Sequence, residues 1–335
     1  MKMNQDIIYP WQQMDWQRLL KQSGMLAHAW LFYGNKYIGK SVFVMAYAKT
    51  LLCENSQGAT RSACGHCQSC LLFAVGNHPD FYVIDDQQDE QSTQLQSMIK
   101  IESVREAIEK IQLSSQLSGL KVVFIRPVEA MTVQAANALL KELEEPVSQT
   151  IFLLLSHRKE SVLPTIVSRC RSFMLFAPNE ETVCDYLQHT MGIERDSARR
   201  KLLFNSGAPL ASKHFPQALY DAFVQCMLQP KLLSILDFAQ RYAFEKQPLI
   251  YFFDWIYKWL ADMILCLQGH GVKFNVHVQK EMHHLVQGLK LPHIWALLDQ
   301  SNKVAYYQQT ALNARLQIES ILLAYLLLSL KKDSS

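Results

Sequence analysis

Between residues 28 and 176, short apolar runs recur that show no polar–apolar alternation, and most are followed by a stretch with helical spacing. "HAWLFY" (28–33), "DFYVIDD" (80–86), "KVVFIRP" (121–127), "TIFLLLSH" (150–157) and the end of "SRCRSFMLF" (168–176) read as strands. A strand covered on one face alternates, whereas a strand covered on both does not. "KSVFVMAYAKTLL", "IESVREAIEKIQL" (101–113) and "TVQAANALLKELEEP" (132–146) carry apolar residues at helical spacing between these strands. The pattern predicts an α/β domain with a parallel sheet and helices on both faces.

After "APNEE" (177–181) only helical patterns remain. Short helices are expected in "ETVCDYLQHT" and "RDSARRKLLFNSG", followed by longer ones over 216–228, 231–244, 248–268, 277–288, 291–299 and 302–331. The expected organisation is therefore an α/β domain over 1–176, a small helical domain over 177–211 and a larger all-α domain over 212–335. A hydrophobic content of 49% against 19% charged residues supports packed cores throughout. A net charge of +3 excludes a chain coated with cations for nucleic acid.

The opening "MKMNQDIIYPWQQMDW" has no apolar run, so a secretory signal is not expected and the cytoplasm is the expected location. "LIYFFDWIYKWLADMILCL" (249–267) is long enough to span a bilayer. Asp254, Lys258 and Asp262 recur every four residues along it, which predicts an amphipathic soluble helix with two i,i+4 ion pairs and no membrane span.

Between the first strand and its helix lies "GNKYIGKS" (34–41), a G-x-x-x-x-G-K-[ST] sequence. Gly34 and Gly39 permit a tight backbone path, loop amides and the helix N-terminus can face phosphate oxygens, Lys40 can reach the outer phosphates and Ser41 can offer a hydroxyl to Mg²⁺. The competing reading is an ordinary strand-to-helix turn. ATP or ADP is the expected ligand if the loop is used. Hydrolysis also requires an acid at the end of a neighbouring strand, and after "KVVFI" stand Arg126 and Pro127. Asp85 and Asp86, after an earlier strand, are the remaining substitutes or simply solvated loop acids. Turnover is therefore not expected, and binding without it stays open.

Cys53, Cys64, Cys67 and Cys70 are separated by ten, two and two residues. Four thiolates at this spacing suit a closed tetrahedral Zn²⁺ site, structural because no coordination position stays open. A redox role is the alternative, and His66 is a weaker ligand candidate. Cys170, Cys184, Cys226 and Cys266 are scattered in apolar surroundings and read as buried thiols. Arg169, in "TIVSRCRSF", stands just before the last strand. It can cap helix carbonyls, or project into a neighbouring subunit's nucleotide as an arginine finger.

"HAWLFYG", "IGKS", the inserted cysteine cluster, "ANALLKELEEP" and "TIVSRCRSF" occur in this order over residues 1–210. In this the chain resembles bacterial clamp-loader subunits, the AAA+-type family of the DNA polymerase III holoenzyme, and "NARLQIESILLAYLL" resembles the last helix of that family's collar domain. The family contains an ATPase, gamma/tau, and a non-hydrolysing delta-prime type. Gamma/tau carries Asp-Glu where Arg126-Pro127 stand, and an arginine after a Gly-Ser pair where this chain has Ala208-Pro209-Leu210. The resemblance therefore implies the non-hydrolysing type. It implies gamma/tau and delta as partners, with the sliding clamp and primer–template DNA reached through the complex. It also implies Arg169 as a finger acting in trans, with Ser168 and Cys170 setting its position. Lys141, Glu142, Glu144 and Glu145 of "ANALLKELEEP" are either interfacial or solvated. An intact phosphate loop departs from some delta-prime subunits and leaves nucleotide binding open. The rival expectations are an active gamma/tau-type ATPase and a zinc-dependent DNA-binding or regulatory module.

Overall fold

The computed structural model describes residues 8–22, 27–55, 62–85, 98–117, 119–211, 215–306 and 313–330. The chain divides into two compact units, Met1–Ala198 with Gly207–Ala211, and Arg199–Ser206 with Ser212–Ser335.

In the first unit a 3-10 turn at Pro10–Gln12 leads into α1 (Gln13–Gln22). There follow β1 (Ala29–Tyr33), α2 (Lys40–Leu52), α3 (Gln68–Ala74), β2 (Phe81–Asp85), α4 (Ile101–Gln112), β3 (Lys121–Arg126), α5 (Val133–Glu144), β4 (Thr150–Ser156), α6 (Pro164–Val167), β5 (Arg171–Met174) and α7 (Glu180–Met191). The five strands form one parallel sheet in the order β2-β3-β4-β1-β5.

Side chains alternate between two separate cores, which is why the strands lack polar alternation. Ala29, Leu31, Val123, Ile125, Phe152 and Leu154 pack in the core shared with α4, α5 and α6. Trp30, Phe32, Val122, Phe124, Ile151, Leu153 and Leu155 pack in the core shared with α1 and α2. Thr132 caps α5 by accepting the Ala135 amide at 3.2 Å, so the helix starts where its sequence predicts. The sheet has a C-terminal edge, where β1 runs into the glycine loop, and an N-terminal edge, from which β5 departs.

The second unit is helical among its described residues: the end of α8 (Arg195–Phe204), then α9 (Gln217–Leu228), α10 (Leu232–Phe244), α11 (Leu249–Leu267), α12 (Gln279–Val286), α13 (Leu291–Tyr306) and α14 (Ala314–Leu330). Its core includes Phe223, Tyr242, Phe252, Trp255, Trp259 and Tyr325. The helix read over 302–331 begins later than expected. Residues 302–306 complete α13, and α14 starts after Asn313, whose side chain accepts the Arg315 amide at 2.9 Å.

The charges of α11 also differ from expectation. Lys258 does pair with Asp254, but it is buried, with its ammonium 4.2 Å from the centroid of Phe204. Asp262 forms no second helical pair. It is fully buried and accepts the amides of Lys273, Phe274 and Asn275 at 2.7–3.2 Å, together with the Asn275 side-chain amide at 2.8 Å. A buried carboxylate needs such donors, and a folded-back loop supplies them better than a lysine one turn away. The helix is thus an inner element rather than a solvated amphipathic one. Among the described residues no helix is long and apolar enough to cross a membrane.

Candidate functional site

The glycine loop leaves β1 at Tyr33 and enters α2 at Lys40. Gly34 (φ 152°) lies so close to the Leu175 carbonyl that a Cβ would sit 2.5 Å from it. Gly39 (φ 87°) lies under the Tyr9 ring, where a Cβ would again be 2.5 Å away. Both glycines are therefore required by close approach as well as by backbone angle. Lys40 is only 4% exposed and donates to the Asn35 carbonyl at 2.6 Å. Burial pushes its pKa down to about 8, against the pull of Glu129, with Lys36 adding to the fall. Ser41 follows at the start of the helix.

The segment before α1 closes over this loop, a feature the sequence reading missed. Trp11 Nε1 and Gln12 Nε2 both donate to the Ile38 carbonyl, at 3.0 and 3.1 Å. Tyr9 and Trp11 stack at 4.7 Å, and Tyr186 of α7 meets both rings edge-on. The "YPW" run carried the signal, but only the fold shows which loop it covers.

The acid question resolves residue by residue. Asp85 lies opposite Arg126 in the β2–β3 register and accepts its Nε at 2.7 Å, so the arginine at the end of β3 ties up that carboxylate. Asp86 lies outside the described residues. Glu129, in a 3-10 turn just beyond Pro127, was not anticipated. Its Oε1 accepts the His157 amide at 2.8 Å, while Oε2 is buried with no hydrogen-bond partner. His157 follows β4, which lies between β1 and β3, so Glu129 and His157 meet at the loop's edge of the sheet. Burial, with Lys40, Lys36 and Arg158 nearby, pushes the His157 imidazole down to about 3.

At the far end of α2, Cys53 opens the cysteine cluster. The sulfurs of Cys53, Cys64, Cys67 and Cys70 all lie within 4.8 Å of one another, and the Cys53–Cys67 separation is 3.9 Å. Tetrahedral zinc with metal–sulfur distances near 2.3 Å sets sulfurs about 3.8 Å apart, so the arrangement fits. Backbone amides of Cys64, Cys67 and Cys70 donate to the sulfurs of Cys53, Cys64 and Cys67 at 3.3–3.4 Å, which favours thiolates. Burial pushes the Cys53 and Cys70 thiols up, while donation from the His66 amide draws Cys64 down to about 6. A cation among the sulfurs would deprotonate all four. The four thiols can hold a metal ion. The His66 ring turns instead to the Cys64 carbonyl, at 2.8 Å.

Ser69, His78 and Asp80 lie together beside this cluster but are not a nucleophilic triad. The Asp80 amide donates to His78 Nδ1 (3.1 Å), so Nε2 carries the proton and donates to Ser69 Oγ (2.9 Å), whose hydroxyl donates to the Leu52 carbonyl (2.6 Å). The Asp80 carboxylate instead accepts from Ser115, Gln116 and Leu117. The chain of bonds ties the cysteine module to the sheet.

Arg169 follows α6. Its guanidinium donates to the Thr165 carbonyl at 2.9 Å and pairs with Glu144 at the end of α5, and its side chain stays 33% exposed. The side chain caps a helix carbonyl and stays partly exposed at the surface. Cys170 beside it is buried, which pushes its thiol up to about 12. In the parallel β1–β5 pair Trp30 faces Arg171 and Tyr33 faces Met174. Arg169 precedes β5 and Lys40 follows β1, so they lie beyond opposite edges, separated by the strand height of about 13 Å or more.

Residues 12–179 match the family described as "DNA polymerase III, delta subunit". The chain is 36% identical over 262 residues to DNA polymerase III subunit delta' of Pseudomonas aeruginosa, covering 77% of each protein. It is 31% identical over 329 residues to the subunit delta' of Yersinia pestis, covering 91% of this chain and 90% of that one. It is also 34% identical over 166 residues to DNA polymerase III subunit tau/gamma of Haemophilus influenzae, covering 50% of this chain and 22% of the relative.

Proposed function

Since the chain belongs to the DNA polymerase III delta-prime family, we propose that it is the non-hydrolysing stator of a clamp loader and supplies Arg169 to ATP held by an adjacent gamma/tau subunit. The observation that carries this reading is the placement of Arg169 at the opposite sheet edge from its own phosphate loop, where it can serve only another chain's nucleotide. Its partial exposure and the Glu144 brace suit a group that is held ready at a surface. An arginine finger adds no covalent chemistry; it places positive charge where negative charge spreads in the transition state.

The partners in this reading are gamma/tau and delta. The assembled complex uses ATP to open the sliding clamp and set it on primed DNA in the cytoplasm. Residues 177–211 act as a small lid domain and residues 212–335 as the collar that joins the ring. The cysteine cluster holds structural Zn²⁺ through Cys53, Cys64, Cys67 and Cys70, and fixes the far end of α2. Gly34, Gly39, Lys40 and Ser41 hold ATP or ADP without turning it over, because Arg126-Pro127 occupy the place of the catalytic acids.

One observation favours a second reading, an active ATPase of gamma/tau type: Glu129 brings a carboxylate to the loop after all. Phosphate release by the purified chain in ATP and Mg²⁺ separates the two. The stator reading expects no release above that of Lys40→Ala; steady turnover abolished by Lys40→Ala would replace it.

A further inference from the structure

Three groups at the C-terminal sheet edge are not accounted for by a silent loop. Glu129 keeps Oε2 buried without a hydrogen-bond partner, His157 keeps Nδ1 in the same condition, and Lys40 is sunk beside them. One carboxylate oxygen suffices to hold the His157 amide. A second buried oxygen left unpartnered costs about 1–3 kcal/mol, a cost that a bound cation would offset. Glu129 acts electrostatically on Lys40, yet the Lys40 ammonium donates to the Asn35 carbonyl.

Resting on the reading of this loop as a nucleotide holder, we propose that Glu129 is its cation-binding acid. Oε2 takes a Mg²⁺ ion that enters with the phosphates of a nucleoside triphosphate. The acid missing at Arg126-Pro127 is in this way replaced from three residues further on, past the proline, by a turn that the His157 amide fixes against β4. Mg²⁺ prefers one or two carboxylates plus phosphate oxygens to a full protein cage, and a single buried carboxylate matches that need. The charge around it sets the order of binding. Lys36, Lys40 and Arg158 surround the site, so a bare dication is repelled and binds only once phosphate has reversed the local sign. No residue is assigned to activate water, so holding Mg²⁺ does not by itself confer hydrolysis.

The test is the Mg²⁺ dependence of ATP affinity, measured calorimetrically on the full chain. Wild type should bind ATP at least about tenfold more tightly in Mg²⁺ than in EDTA. Glu129→Gln keeps an acceptor for the His157 amide, so it should melt at the wild-type temperature in EDTA and bind ATP there at least as tightly. In Mg²⁺ it should gain nothing. Mn²⁺ gives an independent reading: a paramagnetic signal from protein-bound Mn²⁺–ATP in wild type, lost in Glu129→Gln. A full Mg²⁺ gain in Glu129→Gln would overturn the assignment while leaving the loop a nucleotide holder. Absence of ATP binding in wild type under both conditions would overturn the holder reading and this inference together, and would leave the role of Arg169 standing.

Discussion

Lys40 and Arg169 are both cations placed at the ends of neighbouring parallel strands, but they are held in opposite ways. Lys40 is 4% exposed, donates to the Asn35 carbonyl of its own loop, and is rooted in a helix whose other end is a cysteine cluster. The Arg169 side chain is one-third exposed and held by one carbonyl, the Ser168 hydroxyl and one surface carboxylate. A buried cation can act only on what enters its own pocket. An exposed and lightly braced one is available to a neighbour. In the proposed reading, the phosphate-binding signature and the place where charge is delivered do not coincide in one chain.

The strongest way to break the contrast is to remove the root of α2. Cys67→Ser with Cys70→Ser should lose one equivalent of zinc by elemental analysis and destabilise the first unit on the order of 5 kcal/mol in urea. Stoichiometric zinc retained by that variant would refute the site. A smaller effect is expected at His157. Its folded pKa of about 3 lies below the ordinary 6.5, so the unfolded chain takes up the proton first as pH falls. Stability is fully present above about 6.5 and is lost towards 3. His157→Gln should flatten this acid limb by on the order of 2 kcal/mol between pH 7 and 4. An unchanged limb would show that the imidazole is not held neutral.

Lys40 is held at a cost, which gives a third prediction. Its folded pKa of about 8 lies below 10.5, so the burial penalty is complete below pH 8 and disappears as pH rises through 10.5. Lys40→Met should stabilise the chain by about 1 kcal/mol at pH 7 and by almost nothing at pH 10.5. Equal or lower stability at pH 7 would remove the idea that Lys40 is kept for binding. The smallest change belongs to the other region. Glu144→Gln should alter stability by about 0.5 kcal/mol or less, because an exposed ion pair contributes little.

Much of this contrast was legible in the sequence because it depends on local pattern. Unalternating strands require a sheet covered on both faces, and the cysteine spacing brings four sulfurs together as expected. What escaped depends on contacts between distant segments. Glu129 reaches the phosphate loop through a turn fixed by His157, 28 residues away, so an inspection confined to the end of β3 passes over it. Asp262 follows the four-residue spacing of a surface pair, but the loop at 273–275 captures it and turns that face inward. Tyr9 and Trp11 precede the first expected element and gain meaning only from the Ile38 carbonyl and the Tyr186 ring they meet.

The most direct measurement of the central claim compares two variants in one assembly. The chain, as wild type, Arg169→Ala or Lys40→Ala, is mixed with gamma/tau and delta, and DNA-stimulated ATP hydrolysis is measured. The account predicts a loss on the order of a thousandfold for Arg169→Ala and near-wild-type turnover for Lys40→Ala. Unchanged hydrolysis with Arg169→Ala, or its collapse with Lys40→Ala alone, would contradict it.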